Sequence, residues 1–385
     1  MKTSIKSQIE TQCDQGLSEF EAISEFVFAH PEPGGKEEVC ARYLSDRLEQ
    51  NGFKVWRAYQ GMPTAFRAEW GSGPVTIAFL AEYDALPGYG PGHDEWAHAC
   101  GHNWISATAL GSAITLSRVF SSRDIRLVVF GTPAEETLGG KCELVQNGAF
   151  DDVDFVLQAH LGGHTMVRPK TQAMDSIEFS FFGRAAHAAM SPEQGINALE
   201  AVLLLFQGIN ARRPYWKKSA SVAGIITDGG QACNIVPDYA ACRFYVRDAT
   251  RQEVETLTST LQAIGQGAQA MTGARMETRF FENSFDELRN DETLCSVVEA
   301  NLRRLGIERF YEPEYPGGSS DIGNVSHVVP TMYFELETGM VPPVYAHESG
   351  FLEAVHGPLA RSSLRQAVLA MTWSVADILE AGNKE

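Results

Sequence analysis

Residues 75–113 read VTIAFLAEYDALPGYGPGHDEWAHACGHNWISATALGSA, and residues 125–136 follow with IRLVVFGTPAEE. Each stretch opens on a nearly uninterrupted apolar run, the pattern of a strand buried on both faces rather than on one. Between the two runs a helix of small residues extends from about Asn103 to Phe120. Apolar strand, helix and apolar strand in succession predict a mainly parallel sheet covered by helices, an α/β fold.

Toward the N-terminus, FKVWRAY and TAFRAEW predict two further strands, and the first fifty residues read as helices. Leu17, Phe20, Ile23, Phe26 and Val27 recur at helical spacing, PEPGG interrupts them, and the pattern resumes from Glu37 to Asn51. Toward the C-terminus the texture changes between about Ala173 and Phe285. There SIEFSFFGRAAHAA, INALEAVLLLFQGINA, ASVAGIITDGG, YAACRFYVRDA, RQEVETLTSTLQAIGQGAQAM and ARMETRFFE follow as β-α-β-β-α-β, the order of a small ferredoxin-like α+β domain with one open sheet face. From Asn290 the α/β texture returns, with the strand TMYFELE and a closing helix from about Pro358 to Glu380. The expected division is a catalytic domain made of 1–172 and 286–385, with 173–285 inserted in it.

Composition narrows the function. The 385 residues carry 31 Lys+Arg against 49 Asp+Glu, a formal charge of −18, which repels phosphate backbones and anionic lipid surfaces. Nucleic acid and membrane are therefore not expected as partners. The N-terminus lacks the apolar core of a signal peptide, and no stretch approaches the ~20 apolar residues of a bilayer span. A cytoplasmic enzyme or binding protein is expected. Cysteines at 13, 40, 100, 142, 233, 242 and 295 are odd in number and scattered, unlike a secreted disulfide framework.

Chemistry concentrates at the strand ends. Glu82 and Asp84 close the first apolar run, and His98, Cys100 and His102 stand at the entry to the small-residue helix. Strand ends are where open α/β sheets place ligands, and Cys and His two residues apart suit a borderline divalent ion. Glu135 and Glu136 end the next strand, where one carboxylate can bind metal while its neighbour handles protons; an exposed acidic turn gives the same letters. His160 ends VDFVLQAH and His347 lies in VYAHESGF, and each taken alone reads more readily as a hydrogen-bonded packing residue than as a ligand. Gathered at one crevice, these residues number about what a two-metal site needs, and such a site activates water against an amide or ester.

Taken together, EYDALP, HACGHN, GTPAEE, FFGRAAHAA, GINAL, NIVPD, GGSSDIGNVSHVVP and the late His347 resemble a known family over nearly the whole chain. It is the co-catalytic metallopeptidases and amidohydrolases: aminoacylases, indole-acetyl-amino-acid hydrolases, p-aminobenzoyl-glutamate hydrolase and related dipeptidases. The GINAL and DIGNVSH variants look most like the branch of the p-aminobenzoyl-glutamate hydrolase B subunit and β-alanyl-lysine-type dipeptidases. The resemblance implies a phosphorylase/hydrolase-like catalytic domain with an inserted lid that also dimerises. It implies two divalent ions per chain, Zn2+ or Mn2+, on Cys100, His102, Glu136, His160 and His347. Glu135 becomes the general base, and Asp84 orients a ligand. Glu82 stands where many relatives have a ligating His, and it is left out of the ligand set together with His98. In the insertion, His187 is expected to reach a partner subunit's site and stabilise the oxyanion, while Asn234 and Arg247 bind substrate.

The implied substrate is a small amide, an N-acyl amino acid, aminobenzoyl-amino acid or dipeptide, and the implied assembly is a homodimer through the lid. Hydrolytic deamination of an amine on the same scaffold and a non-catalytic partner subunit of a heteromeric hydrolase are the alternatives. Thr137-Leu138 after the glutamates, the run His160-Leu161-Gly162-Gly163-His164 and Cys233 depart from the common family pattern. PGYGPGH and YPGGSSD lack the arrangement of phosphate-binding loops and are expected to be turns. Ser319, Ser320 and Asp321, framed by no nucleophile elbow, are expected to line the pocket loop.

Overall fold

A computed structural model describes residues 4–314 and 317–382. Tyr315 and Pro316 of the YPGGSSD stretch lie outside the described residues. By contact density the chain divides into two units, one of Met1–Lys170, Leu288–Glu314 and Asp321–Glu385, the other of Thr171–Glu287 and Tyr315–Ser320. The sequence reading placed 317–320 with the last segment. The backbone instead ties it to the insertion, since Gln172 N–H donates to the Gly318 carbonyl at 2.9 Å.

The first unit begins with helices α1 (Ile5–Phe28) and α2 (Glu38–Gln50). Strands β1 (Lys54–Arg57), β2 (Phe66–Gly71), β3 (Thr76–Ala81), β4 (Leu86–Tyr89) and β5 (Glu95–Ala97) precede helix α3 (His102–Val119). Strand β6 (Arg126–Gly131), helix α4 (Gly140–Gln146) and strand β7 (Phe155–Gly162) complete its first part. After the insertion come α7 (Glu292–Arg304), α8 (Ile322–Ser326), β12 (Thr331–Glu337), α9 (Phe351–Ala354) and α10 (Gly357–Gly382). The sequence reading did not single out α4, α7, α8 or α9, and the PGYGPGH turn proves to be the tip of the β4–β5 hairpin.

The main sheet has the order β1-β2-β6-β3-β7-β12. Its β6, β3, β7 and β12 are parallel, while β1 and β2 add an antiparallel edge. Every residue of β3 is buried because Ile77 and Phe79 face one helical layer while Ala78 and Leu80 face the other. That is why the strand shows no alternation. Helix α3 is buried from His102 through Leu116, and its small residues let neighbouring helices approach. A Cβ on Gly111 would lie 3.0 Å from the Phe20 ring of α1. Truncating either Phe20 or Phe79 to Ala would cost about 3–5 kcal/mol. Parallel strands finish at the same sheet edge, so β3, β6 and β7 deliver Glu82–Asp84, Glu135–Glu136 and His160 to one side.

The second unit holds β8 (Ala173–Phe182), α5 (Ala198–Arg212), β9 (Ser221–Asp228), β10 (Tyr239–Asp248), α6 (Arg251–Thr272) and β11 (Arg275–Phe280). Its sheet is antiparallel in the order β11-β8-β10-β9. Ile177, Phe179, Leu205, Phe244 and Val254 form the core between this sheet and its two helices. The GINAL motif has a structural meaning: Asn197 Oδ1 accepts the amides of Leu199 and Glu200 and starts α5. Thr250 caps α6 in the same way, and Gly273, at φ 78°, ends it.

Candidate metal centre

Asp84 organises the strand-end residues. Its Oδ1 accepts His102 Nδ1–H at 2.9 Å, and its Oδ2 accepts the Glu136 amide at 2.9 Å. With Nδ1 engaged, the lone pair of His102 is on Nε2, which is buried without a hydrogen-bond partner. His160 is fixed likewise: Nδ1 donates to the Leu161 carbonyl at 2.6 Å, and Nε2 faces Cys100 Sγ at 3.5 Å. His347 sits in the left-handed region at φ 74°. The Ala99 carbonyl holds its amide at 2.8 Å, and its Nε2 lies 3.2 Å from Glu136 Oε1.

The result is two triads, Cys100–His102–His160 and Cys100–Glu136–His347, with the donor atoms of each within 4.8 Å of one another. They share Cys100. A third group, His102–Glu135–Glu136, meets the same criterion and overlaps both. His98 belongs to none of these groups; burial pushes its imidazole down to about 3 and keeps it neutral.

The two adjacent glutamates differ in proton affinity. Burial, with Glu136, Glu82 and Asp321 adding repulsion, pushes Glu135 well above the usual carboxylate range. Burial also opposes ionisation of Glu136, but His347 and His102 outweigh it and hold that carboxyl low. The two neighbouring carboxyls are thus driven in opposite directions, Glu135 toward the protonated form and Glu136 toward the ionised one.

Beneath these residues lies a charged layer that the sequence reading missed. Lys141 Nζ is 2.5 Å from Glu82 Oε1 and 2.5 Å from Asp321 Oδ1, and all three side chains are buried. Gln158 Nε2 donates to the same Glu82 oxygen at 2.8 Å. Glu82 Oε2 lies 3.7 Å from His102 Nε2, so the residue left outside the ligand set borders it directly. Asp321 is a buried counter-ion and not a pocket-loop residue. The signal was present in Gly139-Gly140-Lys141: a Cβ on Gly140 would lie 2.1 Å from the Pro133 carbonyl oxygen, so only Gly lets α4 start this close to the glutamate loop.

The second unit holds the other predicted residues. His187 is exposed, and its Nδ1 accepts the amides of Ala189 and Met190, both at 3.2 Å, which turns Nε2 outward as donor. Asn234 lies beside it, its carbonyl accepting the Ala188 amide at 3.0 Å. Arg247 pairs with Met174 at the start of β8, whereas His187 follows the end of that strand. Eight residues of strand amount to roughly 27 Å, so the second unit does not bring Arg247 to His187 and Asn234.

The donor set suits divalent cations. His102 Nε2 is an orphaned buried lone pair, and burial raises the Cys100 thiol well above its usual range, from which a coordinated cation would release the proton. Glu82, Asp84, Glu135, Glu136 and Asp321 set five carboxylates against the ammonium of Lys141. The Cys100 thiolate formed on coordination would add to this excess of negative charge, which bound divalent ions would offset.

Residues 78–362 match peptidase family M20/M25/M40. The chain belongs to this family. The reaction class of this M20 protein is accordingly hydrolysis of peptide or amide bonds. It is 32% identical over 394 residues to Xaa-Arg dipeptidase of Mus musculus, covering 97% of this chain and 89% of the relative. It is 33% identical over 308 residues to one of the p-aminobenzoyl-glutamate hydrolase chains of Escherichia coli, covering 76% of this chain and 63% of that one. A dinuclear metal-binding M20 peptidase from Bacillus subtilis superposes with a TM-score of 0.68 at 20% identity, covering 94% of this chain and 99% of that one. The M20 member has no helix, among the described residues, long and apolar enough to cross a membrane.

Proposed function

We propose that this M20 protein hydrolyses the amide bond of a dipeptide, N-acyl amino acid or aminobenzoyl-amino acid, with two divalent ions held by Cys100, His102, Glu136, His160 and His347. The observation that carries this reading is the pair of triads sharing Cys100, with Glu135 at their edge. Bound ions supply a polarised carbonyl and a water that ionises near neutral pH. The Glu135 carboxylate, ionised where bound cations would offset the repulsion of its acidic neighbours, would take the proton of the attacking water and return it to the leaving amine. Asp84 keeps His102 Nε2 and the Glu136 backbone aimed while this happens. Cys100 and the imidazoles suit zinc, and the carboxylates also admit manganese.

The relatives suggest which substrates to try first. Dipeptides ending in Arg follow from the likeness to Xaa-Arg dipeptidase, and the formal charge of −18 favours a cationic substrate. An aromatic group supports them: His164, four residues after His160, lies 4.9 Å from the Tyr311 ring and 6.0 Å from the ring of Tyr345, two residues before His347. Aromatic faces bind cationic groups.

The inserted domain serves in this reading as lid and dimer contact. Strand β9 is the edge of its sheet, with Ile225 66% and Ile226 43% exposed. Such an edge is a template for pairing with a second copy. His187 Nε2, offered by the partner chain, would then donate to the developing oxyanion. Seven free cysteines fit a reducing, cytoplasmic setting.

The test is a panel of dipeptides, N-acyl amino acids and aminobenzoyl-glutamate given to zinc- or manganese-loaded protein, scored for free amine and for ammonia. Release of an amino acid without ammonia is expected. Ammonia from free amines would replace the reading with deamination, and full activity of metal-free protein would overturn it.

A further inference from the structure

Glu37 lies just before α2, nearly a hundred residues from the glutamates at the metal centre, and is completely buried. Its Oε1 accepts the Ala134 amide at 2.7 Å, and its Oε2 accepts the Thr64 hydroxyl at 2.9 Å. Burial, with the Asp84 charge adding to it, pushes this carboxyl up to about 7. Ala134 is the residue before Glu135, and it sits at φ 59°, in the left-handed region that a Cβ disfavours. Its carbonyl accepts the Gly139 amide at 2.8 Å and the Thr137 amide at 3.3 Å, so this one residue sets the turn that carries both glutamates. The loop before Glu37 packs on the same turn: a Cβ on Gly34 would lie 2.3 Å from Thr137 Oγ1.

A strained residue persists only where its surroundings over-determine it. Here the determinant is visible. From the far side, Asp84 Oδ2 holds the Glu136 amide at 2.9 Å, so the Ala134 and Glu136 amides are each gripped by a buried carboxylate, with Glu135 between them. One grip would leave the peptide planes on either side of Glu135 free to rotate; two fix them.

We propose that Glu37 is a positioning residue of the catalytic machinery, clamping the Ala134 amide so that the left-handed turn presents Glu135 to the substrate while Glu136 faces the metals. The proposal rests on the reading of Glu135 as the proton carrier. It acts through the backbone, so its loss changes turnover more than substrate binding or metal content. Misplacing a reacting group by about 1 Å costs on the order of a hundredfold.

The experiment compares wild type, Glu37→Ala, Glu37→Gln, Thr64→Val and the double variant Glu37→Ala/Ala134→Gly. Each is measured for bound divalent metal, kcat and KM on the best amide substrate, and amide hydrogen exchange over residues 133–139. Glu37→Ala is expected to keep its metal and its KM within about twofold, to lose about 10- to 100-fold in kcat, and to exchange faster in that segment. Glu37→Gln keeps an acceptor for Ala134 and recovers most of the loss. Thr64→Val, which preserves packing, gives a smaller loss and serves if Glu37→Ala does not fold. Glycine adopts the left-handed turn without a Cβ penalty, so Ala134→Gly in the Glu37→Ala background recovers at least about fivefold. Unchanged exchange in Glu37→Ala, faster exchange with unchanged kcat, or Glu37→Gln as impaired as Glu37→Ala would each overturn the proposal. A wild type that loads metal and hydrolyses no amide overturns the functional reading instead; the clamp is then judged by exchange, and unaltered protection in Glu37→Ala rejects it.

Discussion

Lys141 Nζ lies 2.5 Å from Asp321 Oδ1, and neither side chain is exposed. The Lys141 amide also donates to Asp321 Oδ2 at 2.8 Å, so backbone and side chain both fix the pair. Removing one member of a buried pair strands the other, at about 3–5 kcal/mol. Lys141→Met, which keeps most of the volume, should therefore lower the urea midpoint by that equivalent, because it leaves both Glu82 and Asp321 uncompensated. Adding Asp321→Asn should return part of the loss, as coupled neighbours do in a double-mutant cycle. A Lys141→Met protein as stable as wild type would show that the layer beneath the metal centre does not depend on this charge.

Glu135 and Glu136 should separate on substitution. Glu135→Ala is expected to retain bound metal and lose about 10²–10⁴-fold in kcat, the usual worth of a positioned proton carrier. Glu136→Ala removes a donor from the triad with Cys100 and His347, and metal analysis should find less than the full complement. Near-normal turnover by metal-loaded Glu135→Ala would remove its assignment as base.

The residues of the candidate metal centre were more legible in the sequence than the layer beneath them, for a physical reason. Cys100, His102, Glu135 and Glu136 stand at strand and helix ends, where polar residues break an apolar run and are noticed. Asp84 was readable in the same run. Glu37 lies in the charged run Lys36-Glu37-Glu38, and Lys141 and Asp321 follow glycines and serines that read as turns; the meaning of all three arises from contacts 180 and 97 residues away in the chain. No local period encodes such pairings. The parallel core of the sheet was legible because β3, β6 and β7 are buried on both faces and therefore show no alternation. The short helices α8 and α9, of 5 and 4 residues, are too brief to show a helical period.

His187 is exposed and its Nε2 points away from its own turn, which its two amide contacts to Nδ1 enforce. If it serves a partner's site, mixing inactive His187→Ala with inactive Glu135→Ala protein should restore up to about a quarter of wild-type activity through hybrid dimers carrying one intact site. The loss in His187→Ala itself should be about 10²–10³-fold in kcat, as for a single oxyanion donor. No recovery, with exchange of protomers verified by mass, would place the residue in its own protomer's chemistry or in none.

Glu178 on β8 stands directly across from Arg243 on β10 and Arg279 on β11, at 2.6 and 2.7 Å. The Arg279 contact, joined by Arg243 and opposed by burial, holds this carboxyl below the usual range. A depressed folded-state pKa means that the unfolded chain binds the proton first as pH falls. The stabilisation is therefore complete above the unfolded value of about 4.3 and disappears as pH drops through the folded value. The arginines are 42% and 62% exposed in their side chains, so solvent screens the contacts and the contribution at pH 7 is small. The protection of β8 and β10 amides, taken relative to the intrinsic exchange rate at each pH, should fall in wild type between about pH 4.5 and 3, whereas Glu178→Gln should be less protected than wild type at pH 7 and converge with it at pH 3. Parallel pH profiles for the two proteins would show that the cross-strand triad adds nothing to the sheet.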